Sequence, residues 1–175
     1  MSISSLSIVD QAAVLGNLQL IQEMHQCDTF FTFTTNVMDL AAWHGHLHIV
    51  RWLHENRTEG CTFKAMDEAA SNGELEVVKW LHNNRTEGCT TMAMDGAAMF
   101  GHLDVVKWLH ENRNEGCTTL AMDGAAQYGN LHVVQWLHAN RQEGCTIRAP
   151  NYAAKNGHVE VKQWMYDNIE IMLIV

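Results

Sequence analysis

"NNRTEGCTTMAMDGAAMFGHLDVVKWLHENRNEGCTTLAMDGAA", residues Asn83–Ala126, says nearly the same thing twice. What returns unchanged does so 28 places later: Gly45, Gly73, Gly101, Gly129 and Gly157, and with them Trp52, Trp80, Trp108, Trp136 and Trp164. Gly60, Gly88, Gly116 and Gly144 keep the same interval, as do Cys61, Cys89, Cys117 and Cys145. A fixed period of about 20–50 residues marks a solenoid, in which each unit buries its apolar face only against its neighbours. Gly16 lies 29 before Gly45 and opens a degenerate first copy. The period therefore predicts one repeat domain over residues 1–175, with six units at 8–29, 37–65, 66–93, 94–121, 122–149 and 150–175.

Within a unit the apolar spacing is helical. Met94, Ala97 and Ala98 stand at i, i+3 and i+4 on one helix face. Thr90 suits its N-cap, with a start nearer Met94 as the alternative, and Gly101 suits the left-handed position that ends it. In "HLDVVKWLHENR" Leu103, Val106 and Leu109 run along one side while Asp104, Lys107 and Glu111 point outward. "NEG" then turns the chain into the next copy. Each unit reads as helix, tight turn, helix, loop, which makes an all-α repeat solenoid.

"AMDGAAMFGHLDVVKWLHENR" resembles the ankyrin repeat, through Ala97–Ala98, Gly101–His102, Val105–Val106 and Trp108–Leu109. The resemblance recurs in every unit and implies a protein–protein interaction module. Two departures qualify it. The ankyrin period is about 33, so some five residues are missing where the family carries its β-hairpin finger, and little or no hairpin is expected. Asp39, Asp67, Asp95 and Asp123 stand where the family has histidine, and each is expected to accept hydrogen bonds from backbone donors or a neighbouring loop.

Composition narrows the function classes. At 47% hydrophobic and 18% charged, the 175 residues can bury a core. A formal charge of −9 repels polyanions, so nucleic acid is excluded as the main partner and a basic protein or peptide is expected. "MSISSLSIVDQAAVLG" carries no basic residue and no long apolar run, and no stretch approaches the roughly 20 apolar residues of a membrane helix. A soluble, intracellular, monomeric protein of the cytoplasm is expected, with export into another cell left open.

The periodic cysteines and histidines invite metal or catalytic readings, and spacing opposes both. Packed helices stand about 8–10 Å apart, whereas a disulfide needs Cα atoms within about 7 Å and zinc needs ligands within about 2.3 Å of one point. A ladder of reduced, buried thiols is expected, with Cys27 off the period and exposed. His54, His82, His110 and His138 are expected to pack between second helices with one ring nitrogen hydrogen-bonded. His44, His46 and His48 cluster locally, with rings expected to diverge. The aspartate file is likewise too widely spaced for an acid–base dyad, and no phosphate loop, nucleophile elbow or HExxH occurs. No metal, cofactor or enzymatic activity is expected.

Positions fixed in every copy are scaffold; those that vary are free for recognition. The pair after Ala-Ala varies most: Trp43–His44, Ser71–Asn72, Met99–Phe100, Gln127–Tyr128 and Lys155–Asn156. Leu40, Glu68, Gly96, Gly124 and Tyr152 vary one turn earlier. The resemblance places these on the concave surface that ankyrin arrays use. The candidate strip is thus Leu40, Trp43, His44, Glu68, Ser71, Asn72, Met99, Phe100, Gln127, Tyr128, Tyr152 and Lys155, rich in aromatics and Met, the types enriched at interfaces. One member of each pair could instead pack on the adjacent copy. Gly96 and Gly124 imply close approach, of a ligand or of the next helix. The rival reading is a structural spacer, one segment of a longer array without its own partner. The ends differ from the inner copies: Glu23 replaces Trp, and Lys162 replaces Val. "IEIMLIV" is expected to seal the last unit or to begin something longer, and Phe30–Thr35 to form an irregular join.

Overall fold

The computed structural model describes residues 6–27 and 30–169, and within them lie twelve helices and no strand. They come as six pairs: α1 (Ile8–Val14) with α2 (Leu18–Gln26), α3 (Thr35–Trp43) with α4 (Leu47–Asn56), α5 (Lys64–Ser71) with α6 (Leu75–Asn84). Then follow α7 (Thr91–Met99) with α8 (Leu103–Asn112), α9 (Thr119–Gln127) with α10 (Leu131–Asn140), and α11 (Ala149–Lys155) with α12 (Val159–Asn168). The fold is an all-α helical repeat solenoid. Residues Glu170–Val175, most of the expected C-terminal seal, lie outside the described residues.

Local chemistry explains each boundary. Thr90 is the N-cap of α7, its Oγ1 accepting the Met92 N–H at 3.1 Å. Thr34, Thr62, Thr118 and Thr146 receive the N–H two residues on in the same way, at 3.1–3.3 Å. Gly101 ends α7 at φ +87°, which only glycine adopts without strain, and the N–H of His102 returns to the Ala97 carbonyl at 2.8 Å. The loop between α8 and α9, where little or no hairpin was expected, is short and self-closed. Arg113 donates to Glu115 across one residue, and Gly116 takes the positive φ that lets the chain turn.

The chain divides into two compact units, residues 1–69 with 74–89 and residues 70–73 with 90–175. In the first, α1 packs on α2 and α3, and α3 on α4. Ala12, Ala13, Ala41, Ala42, Ile49 and Val50 are among its least exposed side chains, at 0–1%. In the second, α9 lies between α7 and α11, each backed by its own second helix, over Ala97, Ala98, Val105, Val106, Ala125, Ala126, Val133 and Val134. Small residues on the first helices allow this approach. Trp52, Trp80, Trp108, Trp136 and Trp164 are half-buried. The join at Phe30–Thr35 is more regular than expected. Phe33 is buried under the Arg57 guanidinium, 4.3 Å from the ring centroid, and Thr34 caps α3, so only Phe30, 85% exposed, departs from the pattern.

Candidate functional site

The repeated polar files are consumed by the scaffold. Asp95 on α7 is 2% exposed and accepts from Thr118 at the head of α9 twice, from its N–H at 2.7 Å and its hydroxyl at 2.9 Å. Asp39 does the same with Thr62 and Asp123 with Thr146, at 2.6–2.8 Å. One carboxylate thereby joins successive first helices, as the sequence led one to expect. Burial raises the pKa of Asp39 and Asp95 despite the lowering effect of the two threonine bonds.

Behind them, His54 accepts from Arg85 Nη1 at 3.2 Å and stands edge-on to Trp80 at 5.2 Å between ring centroids. His110 repeats this with Arg141 and Trp136, and His25 with Arg57 and Trp52. Because guanidinium can only donate, the imidazole Nδ1 must be the acceptor and the proton must sit on Nε2. The same arginines hold Glu87, Glu143 and Glu59. Burial disfavours the thiolate in the file of cysteines, pushing Cys61 up to about 12 and Cys117 and Cys145 up to about 11. Cys61 and Cys117 are buried as expected, Cys89 and Cys145 are only half-buried, and Cys27 is exposed. His44, His46 and His48 do not diverge as expected. His44 and His46 stack after Trp43, at centroid spacings of 5.1 and 6.2 Å, while His48 stands edge-on to His46 at 5.9 Å; Nε2 of His46 and of His48 each reach a carbonyl of the α1–α2 corner, Val14 and Gly16. No metal-competent group of three ligands occurs among the described residues.

The varying positions are what remains. In the first unit, His44 and Glu68 are exposed and Trp43 is half-buried, stacked on His44. Partial burial, with the charge of His46 beside it, lowers the His44 pKa. Leu40 is corrected: only 7% exposed, it belongs to the core and not to the accessible strip.

In the second unit the pairs divide their labour. Met99 is half-buried over Gly124, where a Cβ would stand 2.9 Å from its own Cβ, and Ser71 sits over Gly96, its Oγ 1.9 Å from a Cβ there. The two glycines thus admit the neighbouring helix and not a ligand. Phe100 and Tyr128 face outward at 50% and 51% exposure and touch each other, ring centroids 5.4 Å apart. Asn72 and Lys155 are exposed; Ser71, Gln127 and Tyr152 are half-buried. The Gln127 carbonyl accepts from Asn156 Nδ2 at 2.8 Å, so that asparagine is structural. One row escaped the sequence reading. Met92, Leu120 and Ile147 are 51–58% exposed at the N-terminal starts of first helices, and Phe63 is 46% exposed at the same level in the first unit. Their signal was present, since each directly precedes or opens a helix and falls outside its i, i+3, i+4 core set.

Comparison with known families settles the ancestry. A profile for ankyrin repeats (3 copies) matches residues 66–151, and one for ankyrin repeats (many copies) matches residues 38–82. The chain belongs to the ankyrin repeat family. No curated protein matches it. Ankyrin repeats are protein–protein interaction modules, and the family is non-catalytic. No helix among the described residues is long and apolar enough to cross a membrane.

Proposed function

We propose that this ankyrin array captures a protein or peptide on the outer face of its first helices, with Phe100 and Tyr128 at the centre. The carrying observation is that these two rings, on successive rungs, are half-exposed and in contact, and make a paired apolar surface. Ser71, Asn72, Met99, Gln127, Tyr152 and Lys155 border it within the second unit; Trp43, His44 and Glu68 offer a comparable face in the first. Half of each ring amounts to on the order of 100 Å², so covering both removes about 200 Å² from water, worth about 5 kcal/mol before association costs.

The test is affinity capture with the intact chain and with Phe100→Ala/Tyr128→Ala. Partners that bind by this face are lost from the double variant while far-UV circular dichroism and thermal melting stay near those of the parent. Undiminished capture by the folded variant would remove Phe100 and Tyr128 from the site.

A further inference from the structure

Whole-chain charge points to a basic partner, but the charge local to the face does not. On the first helices of the second unit the acids are hidden: Asp95 and Asp123 are 2% and 7% exposed and engaged by Thr118 and Thr146. Glu115 and Glu143, in the intervening loops, are neutralised by Arg113 and Arg141. The exposed charged side chains on these first helices and their caps are cations, Arg148 and Lys155. Among the described residues the unit's exposed acids lie on the second helices instead, at Asp104, Glu111, Glu160 and Asp167. At physiological salt the field of the −9 chain is screened beyond about 8 Å, so the nearby cations decide what the face attracts.

The apolar residues there are spaced as well as exposed. Met92 and Leu120 open α7 and α9, Ile147 lies in the turn just before α11, and Phe100 and Tyr128 are the C-caps of α7 and α9. Adjacent packed helices stand about 8–10 Å apart. A polyproline II segment rises about 3.1 Å per residue with three residues per turn, which returns a side chain to one face every 9.3 Å or so. A β-strand returns every second residue, at about 6.6 Å, and a helix every turn, at about 5.4 Å. Only the first spacing falls within the separation of the rungs.

We propose that the face takes an extended acidic segment carrying an apolar residue at every third position, its carboxylates meeting Arg148 and Lys155. This rests on the interaction reading above and adds the chemistry of the occupant.

The probe is a phage-displayed library of random dodecapeptides, selected on the intact chain. Retained peptides are then resynthesised and titrated against the parent, Phe100→Ser/Tyr128→Ser and Arg148→Glu/Lys155→Glu, each checked for helical content. The expected sequences are rich in Asp and Glu with apolar residues three apart, and lose at least tenfold in affinity to the charge-reversed protein. Their Lys-substituted versions should prefer that reversed protein. Basic or uncharged sequences that still lose affinity to Phe100→Ser/Tyr128→Ser would overturn the acidic occupant and leave the interaction face standing. Peptides indifferent to Phe100→Ser/Tyr128→Ser would overturn both. A library that yields no binder overturns the extended occupant alone, because a folded partner captured through Phe100 and Tyr128 would still satisfy the interaction reading.

Discussion

If the aspartate–threonine bridge joins successive first helices, its two members must be energetically coupled. Thr118→Val removes the hydroxyl bonded to Asp95 at 2.9 Å and keeps the backbone bond at 2.7 Å. Bonds to a charged acceptor contribute about 1.5–3 kcal/mol, and partial burial of this pair argues for the lower end, about 1.5. Asp95→Ala removes the acceptor from both donors at a site where the carboxylate is 2% exposed; leaving both unpartnered costs about 2.5 kcal/mol. Once Asp95 is gone, Thr118→Val has no bond left to break, so the double variant should lose about 2.5 and not the additive 4, a coupling of about 1.5 kcal/mol. In urea, with a slope of about 2–3 kcal/mol per molar, Thr118→Val lowers the midpoint by about 0.5–0.75 M and Asp95→Ala by about 0.8–1.2 M. The double variant should unfold near the second value with an unchanged slope. Additive midpoint shifts would show that the carboxylate and hydroxyl act independently and that the bridge does not tie the rungs.

Three further outcomes are expected. Gly124→Ala should be less stable than the parent in a thermal melt by about 1 kcal/mol: overpacking against the Met99 Cβ, 2.9 Å away, costs about 1–3 kcal/mol and outweighs alanine's helix advantage of about 1; an unchanged or higher melting temperature would show that Met99 yields freely. Acid should separate the carboxylates by sign. Hydrogen bonding from Arg57 and Arg141 lowers Glu59 and Glu143, so their stabilisation is present above the unfolded-state value and lost as pH falls through the folded one; burial raises Asp95, so its contribution is full in acid and lost as pH rises through the raised value. Between about pH 6 and pH 3, Glu59→Gln/Glu143→Gln should therefore lose less urea midpoint than the parent and Asp95→Asn more, and identical losses would remove these groups from the acid response. A thiol-specific chromogenic reagent should label Cys27 at once and reach Cys61, Cys117 and Cys145 only on unfolding, because the last three are thiols held up near 11–12; rapid labelling of Cys61 in native buffer would contradict its burial.

What could be read from the letters was whatever repeats within a few residues of itself. Thr90 as cap, Gly101 as terminator and Met94–Ala97–Ala98 as core face each depend on neighbours along the same helix, and the 28-residue period displays the same solution again and again. The aspartate file was legible for a related reason, since a buried acid one rung from a helix-starting threonine has few other partners within reach. Where the outcome depended on the side chain across the rung, the letters were silent. Leu40 and Glu68 occupy the same place in the copy, yet one is core and the other surface.

The pair Met99–Phe100 shows why such positions resist a one-dimensional reading. Both are large and apolar, both are new at that point of the repeat, and they adjoin the same terminating glycine. What distinguishes them is Gly124, 25 residues away, whose missing side chain gives Met99 a place to lie and leaves Phe100 to meet Tyr128 outside. A glycine inside a helix costs about 1 kcal/mol relative to alanine, and the copies retain it where that seat is used. The exposed ring pair is therefore a consequence of scaffold packing as much as of the two aromatic residues themselves. Moving the aromatics to another rung without the glycine that follows one copy later would not recreate the face.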